Sequence, residues 1–144
     1  MPQRDMTSNM SAAQLIAPAV IAADNTPASI DLAGYEGCAI YLHIGAGGIT
    51  FSGTNKIEFV LTHSDDDSTY TNVDDTDIIG APSISNGIIK ALTSAHATAD
   101  ISEFGYKGGK RYLKLLADFS GTHGTGTAIA AMALRGFPLS APVA

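Results

Sequence analysis

The stretch Glu103-Phe-Gly-Tyr-Lys-Gly-Gly-Lys-Arg-Tyr-Leu-Lys-Leu-Leu-Ala-Asp-Phe-Ser-Gly-Thr-His-Gly-Thr-Gly-Thr-Ala-Ile-Ala-Ala-Met-Ala-Leu-Arg-Gly-Phe-Pro-Leu139 decides the fold. Two glycine-bearing turns divide it into three apolar runs, and Pro138 closes the last. Successive side chains on a strand point to opposite faces. In 111–119 that alternation puts Arg111, Leu113, Leu115, Ala117 and Phe119 on one face. In 127–135 it groups Ala128, Ala130, Met132 and Leu134. The pattern predicts strands over 101–106, 111–119 and 127–135, with no obvious reacting group among them. The small alanines of the third run predict close sheet packing or a shallow contact face.

Working outward, 36–44 is the clearest strand: Cys38, Ile40, Leu42 and Ile44 point one way, Ala39, Tyr41 and His43 the other. Ile57, Phe59 and Leu61 share a face in 56–63. The polar run Ser64-Asp-Asp-Asp-Ser68 then turns the chain, since short polar side chains bond to local backbone. A β-branched strand follows over 69–73. Upstream lie candidate strands over 28–32 and 14–22, the latter broken near Pro18 and so suited to a sheet edge. The segment 77–99 is the least regular. It reads as strand and loop in preference to a short helix over 88–97. About eight short antiparallel strands at regular spacing predict an all-β domain, a β-sandwich with jelly-roll-like character. The expected organisation is a mobile N-terminal arm over 1–13, a single domain over 14–136, and an extended C-terminal tail over 137–144.

The chain has 144 residues, enough for one domain with its own core. Charged residues make up 15%, against about 25% in typical domains, which favours a surface covered by partners. Asp65, Asp66, Asp67, Asp74, Asp75 and Asp77 supply six of fourteen acids; the other eight match the eight bases. A nearly neutral body with one acidic loop disfavours nucleic-acid binding, which needs a basic stripe. The lone Cys38 has no disulfide partner and suits a reducing cytoplasm. Arg4 offset by Asp5, with Gln14 and Pro18 interrupting the apolar run, argues against a secretory signal. No stretch is long enough to span a bilayer as a helix, and no membrane role is expected.

Candidate chemistry is sparse. The acidic segment 65–77 lacks EF-hand spacing and reads as a solvated loop rather than a calcium site. The glycine runs 45–48 and 121–126 lack the Lys-Ser/Thr ending of a phosphate loop and read as turns. His43, His63, His96 and His123 show no metal-binding spacing, and no Gly-x-Ser-x-Gly elbow is present. No catalytic residue, cofactor or metal is therefore expected. Lys107, Lys110, Arg111 and Lys114 form the basic cluster. They are the candidate partner contacts, either as a docking patch or as a charged turn guarding an edge strand.

Three segments carry a resemblance: Asp31-Leu-Ala-Gly-Tyr-Glu-Gly-Cys-Ala-Ile-Tyr-Leu-His-Ile-Gly-Ala46, Glu58-Phe-Val-Leu-Thr-His-Ser-Asp-Asp-Asp-Ser-Thr-Tyr70 and Gly105-Tyr-Lys-Gly-Gly-Lys-Arg-Tyr112. Together they resemble the small head decoration, or cement, proteins of tailed phages, and the likeness runs over most of 14–143. Its motifs are structural. It implies a jelly-roll-like subunit, made in the host cytoplasm, that seats on the virion capsid exterior. The implied partners are the major capsid protein and further copies of the chain, as a dimer or trimer; the low charge and apolar termini put the self-contact at an edge strand or the N-terminal arm. A tail or neck component with the same sandwich, or a virion-surface carbohydrate-binding module, is the alternative reading.

Overall fold

The computed structural model describes residues 5–81 and 83–140. After a 3-10 turn at Thr7–Asn9, ten strands follow in chain order: β1 Met10–Ile21, β2 Ile30–Asp31, β3 Tyr35–Ile44, β4 Lys56–Ser64, β5 Thr71–Asn72, β6 Ile78–Ile79, β7 Ile88–Leu92, β8 Asp100–Tyr106, β9 Tyr112–Ser120 and β10 Thr127–Pro138. The described residues contain no α-helix. The first sheet has the order β1-β10-β3-β8-β6. The second runs β2-β9-β4, and β5 and β7 share the far side of β4. Every pairing is antiparallel.

The two sheets form a β-sandwich because each is apolar on one face. Ile40, Leu42, Ile44, Ile129, Ala131 and Ala133 face inward from the first sheet. Ile57, Phe59, Leu61, Leu113, Leu115 and Ala117 meet them from the second. Burial of each large side chain contributes about 1.5–3 kcal/mol, and this layer holds the sheets together. The helix alternative over 88–97 is replaced by β7, whose Ile89 and Leu92 are buried.

Several boundaries differ from the sequence reading. The expected arm over 1–13 shortens, because Met10–Ala13 already pair with Gly136–Ala133 of β10. Residues 1–4 of that arm lie outside the described residues. The expected tail from 137 likewise begins later: β10 runs to Pro138, which pairs with Tyr35. Residues 141–144 of the tail are not among those described. Strand β9 starts at Tyr112, one residue after expectation, because Arg111 turns aside to Asp31. The strand count is ten rather than about eight, the extra pairings being two-residue strands too short to show a period.

Sheet edges are closed by local devices. Strand β1 is an edge strand, as expected from Pro18, and its pairing with β10 breaks register twice between Gln14 and Ala19. The extra residue there lets Leu15 and Ile16, neighbours in sequence, both be buried. Strand β2 covers only Leu113 and Tyr112 of β9. Beyond it, Asn25 accepts from Ala117 N and donates to Leu115 O, while Asp24 accepts from Phe119 N. Two side chains thus imitate a strand and satisfy an edge that would otherwise invite pairing.

Candidate partner-docking surface

Sequence alternation sends one set of first-sheet residues into the core and the other set outward. The register arranges the outward set in rows across the strands. The central row is Ala12–Leu134–Ala39–Gly105–Ile79. On one side runs Gln14–Met132–Tyr41–Glu103, and beyond it Ala130–His43–Ile101. On the other side runs Met10–Gly136–Gly37. Lys107 extends this last row, since it follows Tyr106, the partner of Cys38, and its N–H donates to Asp77 O at 2.7 Å. Ile79 and Ile101 remain 60% and 62% exposed, which is unusual for isoleucines on a sheet face. Glu103 and Lys107 are the charged residues of these rows.

The face is not flat. Gly37 and Gly136 stand side by side on β3 and β10, and both border a hollow of about 850 Å³. Met6, Met10, Tyr41, Leu134 and Ile79 line its walls. Phe137 adopts φ 50, a left-handed backbone unusual for an aromatic residue. That turn lays its ring over Gly37, where an added Cβ would come within 2.6 Å of Phe137 Cδ2. The ring is 77% exposed and forms a projecting knob beside the hollow.

The expected basic contacts border this hollow without forming one patch. Lys107, Lys110 and Arg111 line one rim. Lys110 Nζ is 3.2 Å from Asp65 Oδ2. Arg111 donates from Nε and Nη2 to the two Asp31 oxygens, each at 2.8 Å. That guanidinium holds the Asp31 carboxyl at about 2. Lys114 lies apart on β9, its Nζ 4.3 Å over the Tyr70 ring. Among the described residues, only Lys107 of the four makes neither an ion pair nor an aromatic contact. The rows themselves were missed as a site in the sequence. Their signal was the outward alternation Ala39, Tyr41, His43 in β3 and Ala128, Ala130, Met132, Leu134 in β10. Only pairing of the strands brings those sets onto one surface.

The acidic segment builds turns. Asp66 Oδ1 accepts from the Ser64 hydroxyl at 2.8 Å and from Ser68 N and Thr69 N at 2.9 Å each, which holds its carboxyl at about 2. Asp74 accepts from the Thr76 backbone and hydroxyl. Asp75 accepts from Ile84 N at 2.6 Å. Asp66, Asp74 and Asp75 are thus engaged by nearby groups, Asp65 by Lys110, and the described residues bring no three metal-ligating side chains together.

The histidines lie in separate settings. His43 is exposed on the outer face, and His96 sits 3.4 Å from Asp100. His123 is buried between Phe119 and Phe51, with Nε2 2.7 Å from Ser120 O. His63 is buried, with Nδ1 2.8 Å from the Tyr106 hydroxyl and Nε2 3.9 Å from Asp77. This last cluster has the outline of a relay. Burial, however, pushes the Tyr106 hydroxyl up to about 12, opposite to the activation a nucleophile needs. Burial likewise raises the Cys38 thiol to about 11, so it is not a reactive thiolate. Comparison of the chain with family models, curated proteins and solved structures finds no match.

Proposed function

We propose that this chain is a structural virion protein that binds the outer surface of a phage capsid as a homo-oligomer and stabilises the head by bridging capsid subunits. The observation that carries the self-association on which the reading rests is the outer face of the first sheet: exposed isoleucines and Phe137, a hollow beside Gly136, and few charges. Contiguous exposed apolar surface marks protein–protein contact. Strand order supports the same reading. With the two-residue β5 and β6 set aside, the sheets run β1-β10-β3-β8 and β2-β9-β4-β7. This order agrees with a jelly roll, a fold frequent among viral capsid proteins. Because folds host many functions, the surface carries the argument and the fold only agrees with it.

Mechanically, an oligomer that touches several capsid subunits makes each later contact intramolecular. Weak individual contacts then sum to firm attachment. Exposed ion pairs contribute about 0–1 kcal/mol each, and most of the basic cluster is already engaged within the chain. Attachment therefore rests on uncharged contacts. A carbohydrate-binding role is less well supported. Tyr106 is buried, and the rings of Tyr35, Tyr70 and Tyr112 lie under cationic side chains, which leaves Tyr41 and the exposed Phe137 for stacking on a sugar.

The test mixes purified protein with capsids that lack it and measures occupancy and capsid heat resistance. Saturable binding that raises the disruption temperature and persists in high salt is the expected result. Absence of binding to capsids under all conditions would overturn the reading.

A further inference from the structure

We infer that the outer face of the first sheet docks on the same face of a second copy, about a two-fold axis lying along the row Ala12–Leu134–Ala39–Gly105–Ile79. The inference rests on the docking reading above and names the occupant of the hollow. A two-fold along that row turns one copy over onto the other. Each row on one side of the axis then faces the row on the other side in the second copy. Tyr41 meets Gly37 of the second copy, Met132 meets Gly136, and Glu103 meets Lys107, from the strand registers alone. Met132 thus faces an open glycine, Tyr41 faces the Phe137 ring that covers Gly37, and an acid faces a base, twice over by symmetry.

Each match has its own physical content. An added Cβ at Gly136 would meet nothing within 4 Å, so the hollow there leaves room for Met132 of the second copy, whereas Gly37 is covered by the chain's own Phe137 ring. The Phe137 ring over Gly37 gives the incoming Tyr41 an aromatic partner, a contact favourable at about 4.5–7 Å between centroids. Glu103 takes the Tyr41 hydroxyl of its own chain, which raises that phenol's pKa, but neither Glu103 nor Lys107 has an ion-pair partner among the described residues. Within one chain they stand four residues apart on extended backbone, about 14 Å, too far to pair. Across the two-fold they are opposed. A face carrying both signs and both shapes in this order is self-complementary, as an isologous contact requires. The free edge of β1 is a poorer candidate, since Pro18 and two register breaks interrupt it.

Size sets the strength. Five strands at about 4.8 Å and four residue rows at about 6.8 Å cover roughly 600 Å² in projection. Specific interfaces begin at about 600 Å² per partner. The pair is therefore a reversible dimer. Its two copies present every remaining surface twice, which is what bridging capsid subunits needs.

Sedimentation equilibrium of the free protein over a range of concentrations, with no capsid present, tests the pairing. The parent is expected to dimerise reversibly. Glu103→Lys and Lys107→Glu, made singly, each place like charges across the interface and should weaken dimerisation roughly tenfold or more. The double variant should restore it. Circular dichroism and thermal melts verify that each variant keeps the parent fold; both positions are exposed. A parent that stays monomeric at high concentration overturns the inference. So do single variants that dimerise like the parent, or a double variant as weak as the singles. The readout is independent of capsid occupancy, so self-association and capsid binding can fail separately.

Discussion

The Tyr106 hydroxyl and His63 Nδ1, 2.8 Å apart, form a buried hydrogen bond that joins the two sheets: Tyr106 ends β8 in one and His63 lies on β4 in the other. Lys110 N donates to the same hydroxyl at 3.3 Å, so the hydroxyl proton is free to go to His63 Nδ1. The ring is then neutral, with its Nε2–H toward Asp77. One tyrosine thereby ties the sandwich to the basic turn that rims the docking face.

Replacing Tyr106 by Phe removes the hydroxyl and leaves His63 Nδ1 and Lys110 N without that partner. Unsatisfied buried groups cost about 1–3 kcal/mol. Urea unfolding should show a loss of that size, with the fold retained. An unchanged midpoint would mean the bond contributes nothing net.

Stability should fall on mild acidification. Burial lowers the His63 pKa below its ordinary 6.5, against a smaller opposing effect of Asp77. The unfolded chain therefore binds this proton more readily than the folded one. The contribution of neutral His63 is complete above about 6.5 and is lost as pH falls through the lower folded value. Asp31 and Asp66, held at about 2 against an ordinary 3.8, act in a separate and more acidic window. Their contributions are full above about 4 and vanish as pH falls through 2. Melts from pH 8 to 4 should show the first decline in the parent and a flatter profile in His63→Gln. Parallel profiles would refute the assignment.

Gly48 packs face to face with Gly126, and a Cβ at Gly48 would overlap the Gly126 carbonyl oxygen. Backbone cannot swing aside as a side chain can. Gly48→Ala should cost at least about 2 kcal/mol through overpacking. Gly53→Ala, where an added Cβ meets nothing within 4 Å, is the matched control and should be nearly neutral. Thermal denaturation of the pair separates local clash from a general effect of glycine loss.

Asn25→Ala should uncover the β9 edge. Both backbone partners, Ala117 N and Leu115 O, would lose their bonds. The expected loss is about 1–2 kcal/mol, with faster aggregation on warming as the open edge finds other strands. Light scattering during a melt checks the second part; a variant as soluble as the parent would count against the edge-guard role.

Much of the fold was legible because its strands are long and regular. Ile40, Leu42 and Ile44 in β3, and Ile57, Phe59 and Leu61 in β4, alternate without interruption, and all are buried as their pattern predicts. The two-residue β5 and β6 were not legible as units, because two residues carry no period. The start of β1 was hidden by Met10–Ala13, whose pairing depends on β10, far away in the chain. In β10 the run Ala128, Ala130, Met132, Leu134 was grouped as one face, but the core side is Ile129, Ala131 and Ala133. Small residues on both faces leave hydrophobicity unable to choose. The docking face was illegible for the same reason that it is a face: its rows join residues from five strands, and only register aligns them. The basic cluster was visible, yet its pairing with Asp31 and Asp65 is a tertiary fact.

The most direct test of the central claim is electron cryomicroscopy of the virion that carries this chain. Density matching the β-sandwich is expected on the outside of the head shell, seated over boundaries between capsid subunits, and absent from particles lacking the chain. Density for the same sandwich confined to the tail or neck, with a bare head exterior, would contradict it.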